Sequence, residues 1–148
     1  MIRVLAVIGM LGLNAAYAVD EIMPMEHHRD MSMTDTRISL NLSGKMKRHQ
    51  LADMRDHLAA INDIVGLMAG NRYAEAAEVA HDRLGLTPQM QKMCNMLGNE
   101  KATELGLAFH RSGDDLADAL KTQDVGKSLS ALNKTIQYCV ACHAMFRQ

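Results

Sequence analysis

Apolar side chains recur along this chain at the spacing of a helix face. Leu51, Met54, Leu58, Ile61, Val65 and Met68 follow one another at alternating intervals of three and four residues, the period of a seam between packed helices. Ser43 stands just ahead, where a hydroxyl can cap the first turn, and Gly70-Asn71 supplies a stop. The pattern predicts a first helix over about 44–69. A second, shorter helix over 72–84 is predicted from RYAEAAEVAHDRL. It ends at Gly85, and its alanines Ala74, Ala77 and Ala80 permit close approach of a neighbour. Thr87-Pro88 reads as an N-cap followed by proline at the first helical position, opening a short helical segment over 88–97 that breaks near Gly98-Asn99. A third long helix is expected over about 100–121, with Leu105, Phe109, Ser112, Leu116 and Leu120 inward. The last runs from Asp124 to Arg147, with a seam of Leu129, Leu132, Ile136, Cys139, His143 and Phe146. Four amphipathic helices with short connections predict an all-α fold, an antiparallel four-helix bundle.

Before this periodic region the pattern is different. Arg3 precedes a short apolar run, Val4 to Leu13, and Ala16-Tyr17-Ala18 forms a small-residue cleavage site. Residues 1–18 therefore read as a signal peptide cleaved after Ala18, too short for a stable membrane span. Residues 19–43 are polar and Met-rich over most of their length, without period, and are expected to be a flexible arm ahead of the domain 44–148. Arg3 is the only charge in the leader, so its removal takes the net charge from −1 to −2. Neither value suits nucleic acid, which calls for a basic face.

Chemistry is concentrated at the far end. Tyr138 to Phe146 reads YCVACHAMF, placing two of the chain's three cysteines three apart with a histidine directly after. The C-x-x-C-H spacing is that of covalent haem attachment. Two thiols add across the vinyl groups of one porphyrin, and the adjacent imidazole reaches the iron. Export supports this reading over a redox dithiol, which is expected at a helix start within an αβ pattern. Cys139 and Cys142 are then the attachment residues, His143 is the proximal ligand, and the cofactor is a single haem c.

The other side of the iron decides the function. A strong sixth ligand gives an iron that passes electrons with little rearrangement, whereas an open site admits nitric oxide or carbon monoxide. Met54 lies on the first helical seam, and a thioether ligand raises the potential; methionine at helical spacing is also ordinary core. His57, expected half-exposed beside the seam, and His110, beside Phe109, are the alternatives. The arm carries a further set, Met23, Met25, His27, His28, Met31 and Met33, whose thioethers and imidazoles suit copper, although no rigid element presents them. Cys94 reads as a buried small side chain, an intermolecular bridge or a redox thiol. No serine–histidine–acid arrangement, paired-carboxylate signature or phosphate loop stands out. Glu100 and Glu104 sit at i,i+4, and Asp114-Asp115 reads as a solvated charge pair.

The ending CVACHAMFR, Cys139 to Arg147, resembles the C-x-x-C-H-x-x-[FY]-R terminus of class II c-type cytochromes, the cytochrome c′ family. MRDHLAAINDIVGLMAGNRY is similar to that family's first helix and its glycine-ended turn, and the likeness covers about residues 44–148. The resemblance implies a four-helix bundle with haem held by Cys139, Cys142 and His143, and Arg147 close to it. It also implies either an open iron or a first-helix methionine ligand, and Met54 falls about where that methionine lies. The Met/His arm, LGLTPQMQKMCNML and FHRS depart from the family pattern, so His57 and His110 stay in consideration.

The expectation is a periplasmic mono-haem electron carrier, not an enzyme, exchanging electrons with larger redox proteins and without membrane insertion. A gas-binding cytochrome is the alternative, and copper binding through the arm a second one. The resemblance also allows a homodimer through the first two helices, which their modest apolar content leaves open.

Overall fold

The computed structural model describes residues 34–148, of which Asp35–Gln148 form one compact unit. A two-residue strand β1 (Ile38–Ser39) precedes five helices. These are α1 (Gly44–Ala69), α2 (Tyr73–Leu84), α3 (Pro88–Asn95), α4 (Glu100–Lys121) and α5 (Val125–Met145), and a strand β2 (Phe146–Arg147) closes the chain. The described chain is thus all-α apart from one short parallel pair, in which Ile38 lies opposite Phe146 and Ser39 opposite Arg147. The expected leader, with its cleavage after Ala18, and most of the expected arm lie outside the described residues. The part of the arm inside them carries β1. The last helix ends at Met145, and the two residues expected to extend it are the partner strand instead.

Four of the five helices, all but α2, start at a side-chain cap. The Ser43 hydroxyl accepts from Met46 N–H at 3.4 Å, Thr87 from Met90 at 3.2 Å, Asn99 from Ala102 at 3.0 Å and Asp124 from Lys127 at 2.9 Å. Each satisfies one of the donors that a helix leaves unpaired at its N-terminus. Past α1, Asn71 takes φ +56°, a left-handed conformation that asparagine tolerates.

α1 packs on α2, α2 on α4 and α4 on α5, while α3 lies against α4. The main core is small-residue-rich: Ala60, Ile64 and Met68 of α1, Ala76, Ala77, Ala80 and Leu84 of α2, Phe109, Leu116, Ala117 and Leu120 of α4, and Leu132 of α5. Ala76 takes the buried place expected of Ala74, which is exposed. At the α2–α4 crossing a Cβ on Gly113 would stand 2.5 Å from the Leu84 carbonyl oxygen, so only glycine permits this approach. Thr135 ties α5 to α4 by donating to the Ser112 carbonyl at 3.1 Å. Arg83 ties α2 to α1 through Asp56 and Asp63, at 2.6 and 2.7 Å. Asp114 is no free surface charge. Its carboxylate accepts from Leu86 N–H at 3.0 Å and meets His81 Nδ1 at 2.8 Å, and Glu104 pairs with Lys101.

α1 and α5 make no extensive backbone contact, and this corrects the expected seams. On α1, His57, Ala60, Ile64 and Met68 are buried, whereas Leu51, Leu58 and Val65 are exposed. On α5, Ser128, Leu132 and Thr135 are buried, whereas Leu129, Ile136 and His143 are exposed. Leu51, Leu58, Ile136 and His143 instead border a cavity between these helices.

Candidate functional site

The cavity has a volume of about 590 Å³ and is walled by α1, α3, α4 and α5. Its lining is mostly apolar, with Ile61, Leu105, Phe109 and Ile136 among the contributors and Gly106 and Ala102 keeping the α4 wall low. Sulfur and imidazole groups interrupt it: Met46 and Met54 from α1, Met90, Met93 and Cys94 from α3, Cys139 and Cys142 from α5, with His57, His110 and His143.

On α5 the C-x-x-C-H spacing sets Cys139, Cys142 and His143 at i, i+3 and i+4, which one helical turn brings to one face. Both thiols are half-buried and free, and burial pushes each above the ordinary cysteine range. They are therefore held as thiols, not thiolates, at neutral pH. The Cys139 Sγ points to the Thr135 carbonyl at 3.8 Å. His143 stands at the exposed rim, and its backbone carbonyl accepts from the Arg37 guanidinium at 3.3 Å.

Met54 is half-buried on α1 and lines the same cavity, so the structure brings together Cys139, Cys142, His143 and Met54. His57 is not half-exposed as its place beside the seam suggested. It is buried, its ring 4.9 Å from that of Phe109 and 5.3 Å from that of His110, the latter edge to face. Burial, with His110 beside it, lowers its pKa to about 4, so it is neutral at pH 7. His110 is also buried and shifted down by desolvation. Its Nδ1 lies 2.8 Å from the Leu84 carbonyl oxygen. A carbonyl only accepts, so Nδ1 carries the proton and Nε2 keeps its lone pair.

Cys94 is buried among these groups on α3, against Gly106, and burial raises its pKa. Arg147 is not brought to the cavity. It lies exposed on β2, its Nε 3.7 Å from an Asp35 carboxylate oxygen. Met23, Met25, His27, His28, Met31 and Met33 lie outside the described residues. Among the described residues no three His, Cys, Asp or Glu side chains converge as a ready-made metal centre, and no helix is long and apolar enough to cross a membrane.

The sequence reading missed Met90, Met93 and Leu97 as lining, and the burial of His57. The departures at QMQKMCNML and FHRS were the available signal, since both stretches contribute to the cavity wall.

The donor set suits a porphyrin. A porphyrin needs an apolar pocket, two thiols three residues apart and further sulfur or imidazole donors from the chain, and side chains of each of these kinds border this cavity. Set against known proteins, the chain matches no family model, no curated protein and no solved structure.

Proposed function

We propose that this chain is an exported mono-haem c-type cytochrome of the class II kind, working as an electron carrier between larger redox proteins in the periplasm. The observation that carries the reading is the convergence of the Cys139, Cys142 and His143 face of α5 and the Met54 thioether of α1 on one apolar cavity. In this reading residues 1–18 direct export and are cleaved after Ala18, and α1, α2, α4 and α5 form an antiparallel four-helix bundle.

Bound haem c supplies a one-electron iron couple. The chain does the rest. Cys139 and Cys142 would each add S–H across one vinyl group, giving two thioethers. His143 and Met54 would hold the iron, the thioether favouring the reduced state. The apolar side chains of α1 and α4 exclude water. His143 lies at the exposed rim near the C-terminal end of α5, and this end of the cavity is where redox partners would dock.

A gas-binding role with an open iron is the second reading. His57, a buried neutral imidazole, lines the cavity, and its N–H could hydrogen-bond a polar diatomic ligand, whereas the N–H of His110 is taken by the Leu84 carbonyl.

The test is the absorption spectrum of the holoprotein, ferric and ferrous, with and without carbon monoxide, repeated on Met54→Ala. A low-spin spectrum indifferent to carbon monoxide until Met54 is replaced supports the carrier. A high-spin spectrum shifting readily with carbon monoxide, and unaffected by Met54→Ala, removes Met54 as a ligand and supports gas binding.

A further inference from the structure

The segment ahead of α1 is built against the attachment motif. Ile38 and Ser39 pair in parallel with Phe146 and Arg147, and Leu40 N–H donates to the Arg147 carbonyl at 3.0 Å. The Arg37 guanidinium is gripped by both oxygens of Asp35, at 2.9 Å each, and its Nη1 donates to the carbonyl of His143 at 3.3 Å. The same Asp35 reaches Arg147. Leu40 packs into a small second core of Leu97, Ala102 and Phe146, against which Leu105 and Cys142 also pack.

Two facts make this more than a chance contact. The last carbonyls of a helix have no partner within it. His143 lies in the last turn of α5, so Arg37 satisfies an acceptor that would otherwise face solvent. A two-residue strand pair has little stability of its own. What holds it is the burial of Phe146, 3% exposed, in the core that Leu40 completes.

We infer that residues 35–40 are a positioning strap for the attachment motif, with Leu40 fixing the side of α5 that carries Cys142 and Arg37 fixing the backbone of His143. The haem part of this rests on the proposed function; the mechanical part does not. The strap acts from outside the bundle, on the end of α5 where a helix frays most readily.

Hydrogen–deuterium exchange on the full chain as purified tests the mechanical part, using Leu40→Ala. Exchange in residues 136–148 should accelerate about tenfold, with α2 and the 109–120 part of α4, which pack in the main core, unchanged. No acceleration, or equal acceleration everywhere, would overturn the strap. The haem part is read from the midpoint potential of Arg37→Gln, with Arg37→Lys as the conservative variant. A shifted potential in the glutamine variant, restored by lysine, supports positioning of His143; faster exchange with an unmoved potential would reduce the strap to a structural element and overturn its role at the iron. A wild-type chain without haem would sink the proposed function, and the exchange experiment would still decide the strap.

Discussion

The imidazoles of His57 and His110 meet edge to face with ring centroids 5.3 Å apart, and Phe109 lies within 4.9 and 5.0 Å of them. Helices α1 and α4 thus place two histidines and a phenylalanine in one buried group on the cavity wall. A proton on His57 would be both desolvated and close to a second imidazole, which is why its pKa falls to about 4 from 6.5.

That shift sets a pH dependence. Between pH 6.5 and 4 the unfolded chain holds a proton on His57 that the folded chain does not, so stability is full above this window and falls as pH falls through it. At about 1.4 kcal/mol for each pH unit, the loss by pH 4 is roughly 3 kcal/mol. Urea unfolding of wild type and His57→Phe at pH 7 and pH 4 should show the wild type losing about that much more. His110, also shifted down, continues to contribute in the variant. Equal losses in both proteins would exclude His57 as the source.

Gly106 and Cys94 make a second testable pair. A Cβ at 106 would stand 2.9 Å from the Cys94 Sγ, too close for the sulfur to stay where it is. In the interior of α4, alanine gains about 1 kcal/mol over glycine in helix propensity. Gly106→Ala should therefore destabilise the wild type, and stabilise a Cys94→Ala background by about 1 kcal/mol. A double-mutant cycle of unfolding free energies reads this reversal of sign directly.

Gly113 leaves no such escape. A Cβ there meets the Leu84 carbonyl oxygen at 2.5 Å and its carbon at 2.6 Å, both backbone atoms. Gly113→Ala must push α2 from α4, at a cost of about 3 kcal/mol. The same Leu84 carbonyl orients His110, so the variant should also disturb the cavity. Thermal unfolding gives the first effect, and the imidazole NMR resonances of His110 give the second.

Replacing Met54 separates packing from ligation. Met54→Ala removes a half-buried side chain whose loss as packing alone is expected to cost about 2 kcal/mol or somewhat more. If Met54 also holds the iron, the midpoint potential falls and carbon monoxide gains access. Stability, potential and carbon monoxide titration on the one variant distinguish the two roles.

Element boundaries were legible because the caps are local chemistry. Ser43, Thr87-Pro88 and Asp124 mark helix starts in the sequence and accept the expected N–H groups in the structure. The seams were less legible. A reading by apolar type selects Leu51, Leu58 and Val65, yet what packs against α2 and α4 is the face of His57, Ala60 and Ile64, one of them a histidine. Alanine and glycine contacts such as Ala76, Ala80 and Gly113 carry the helix approach and leave a weak hydropathy signal. The grouping of Cys139, Cys142 and His143 on one turn of α5 was legible from spacing alone. The parallel pairing of residue 38 with residue 146 was not, because two residues carry no period and their partner is a hundred positions away.

The proposed function rests on covalent attachment of haem at Cys139 and Cys142. The most direct measurement is the haem absorbance and intact mass of the purified, exported chain after denaturing acid extraction, for wild type and the Cys139→Ala, Cys142→Ala double variant. One haem per chain should stay with the wild-type polypeptide and none with the double variant. A wild-type chain whose mass is that of the polypeptide alone, or a haem that the acid removes from it, would rule out covalent attachment.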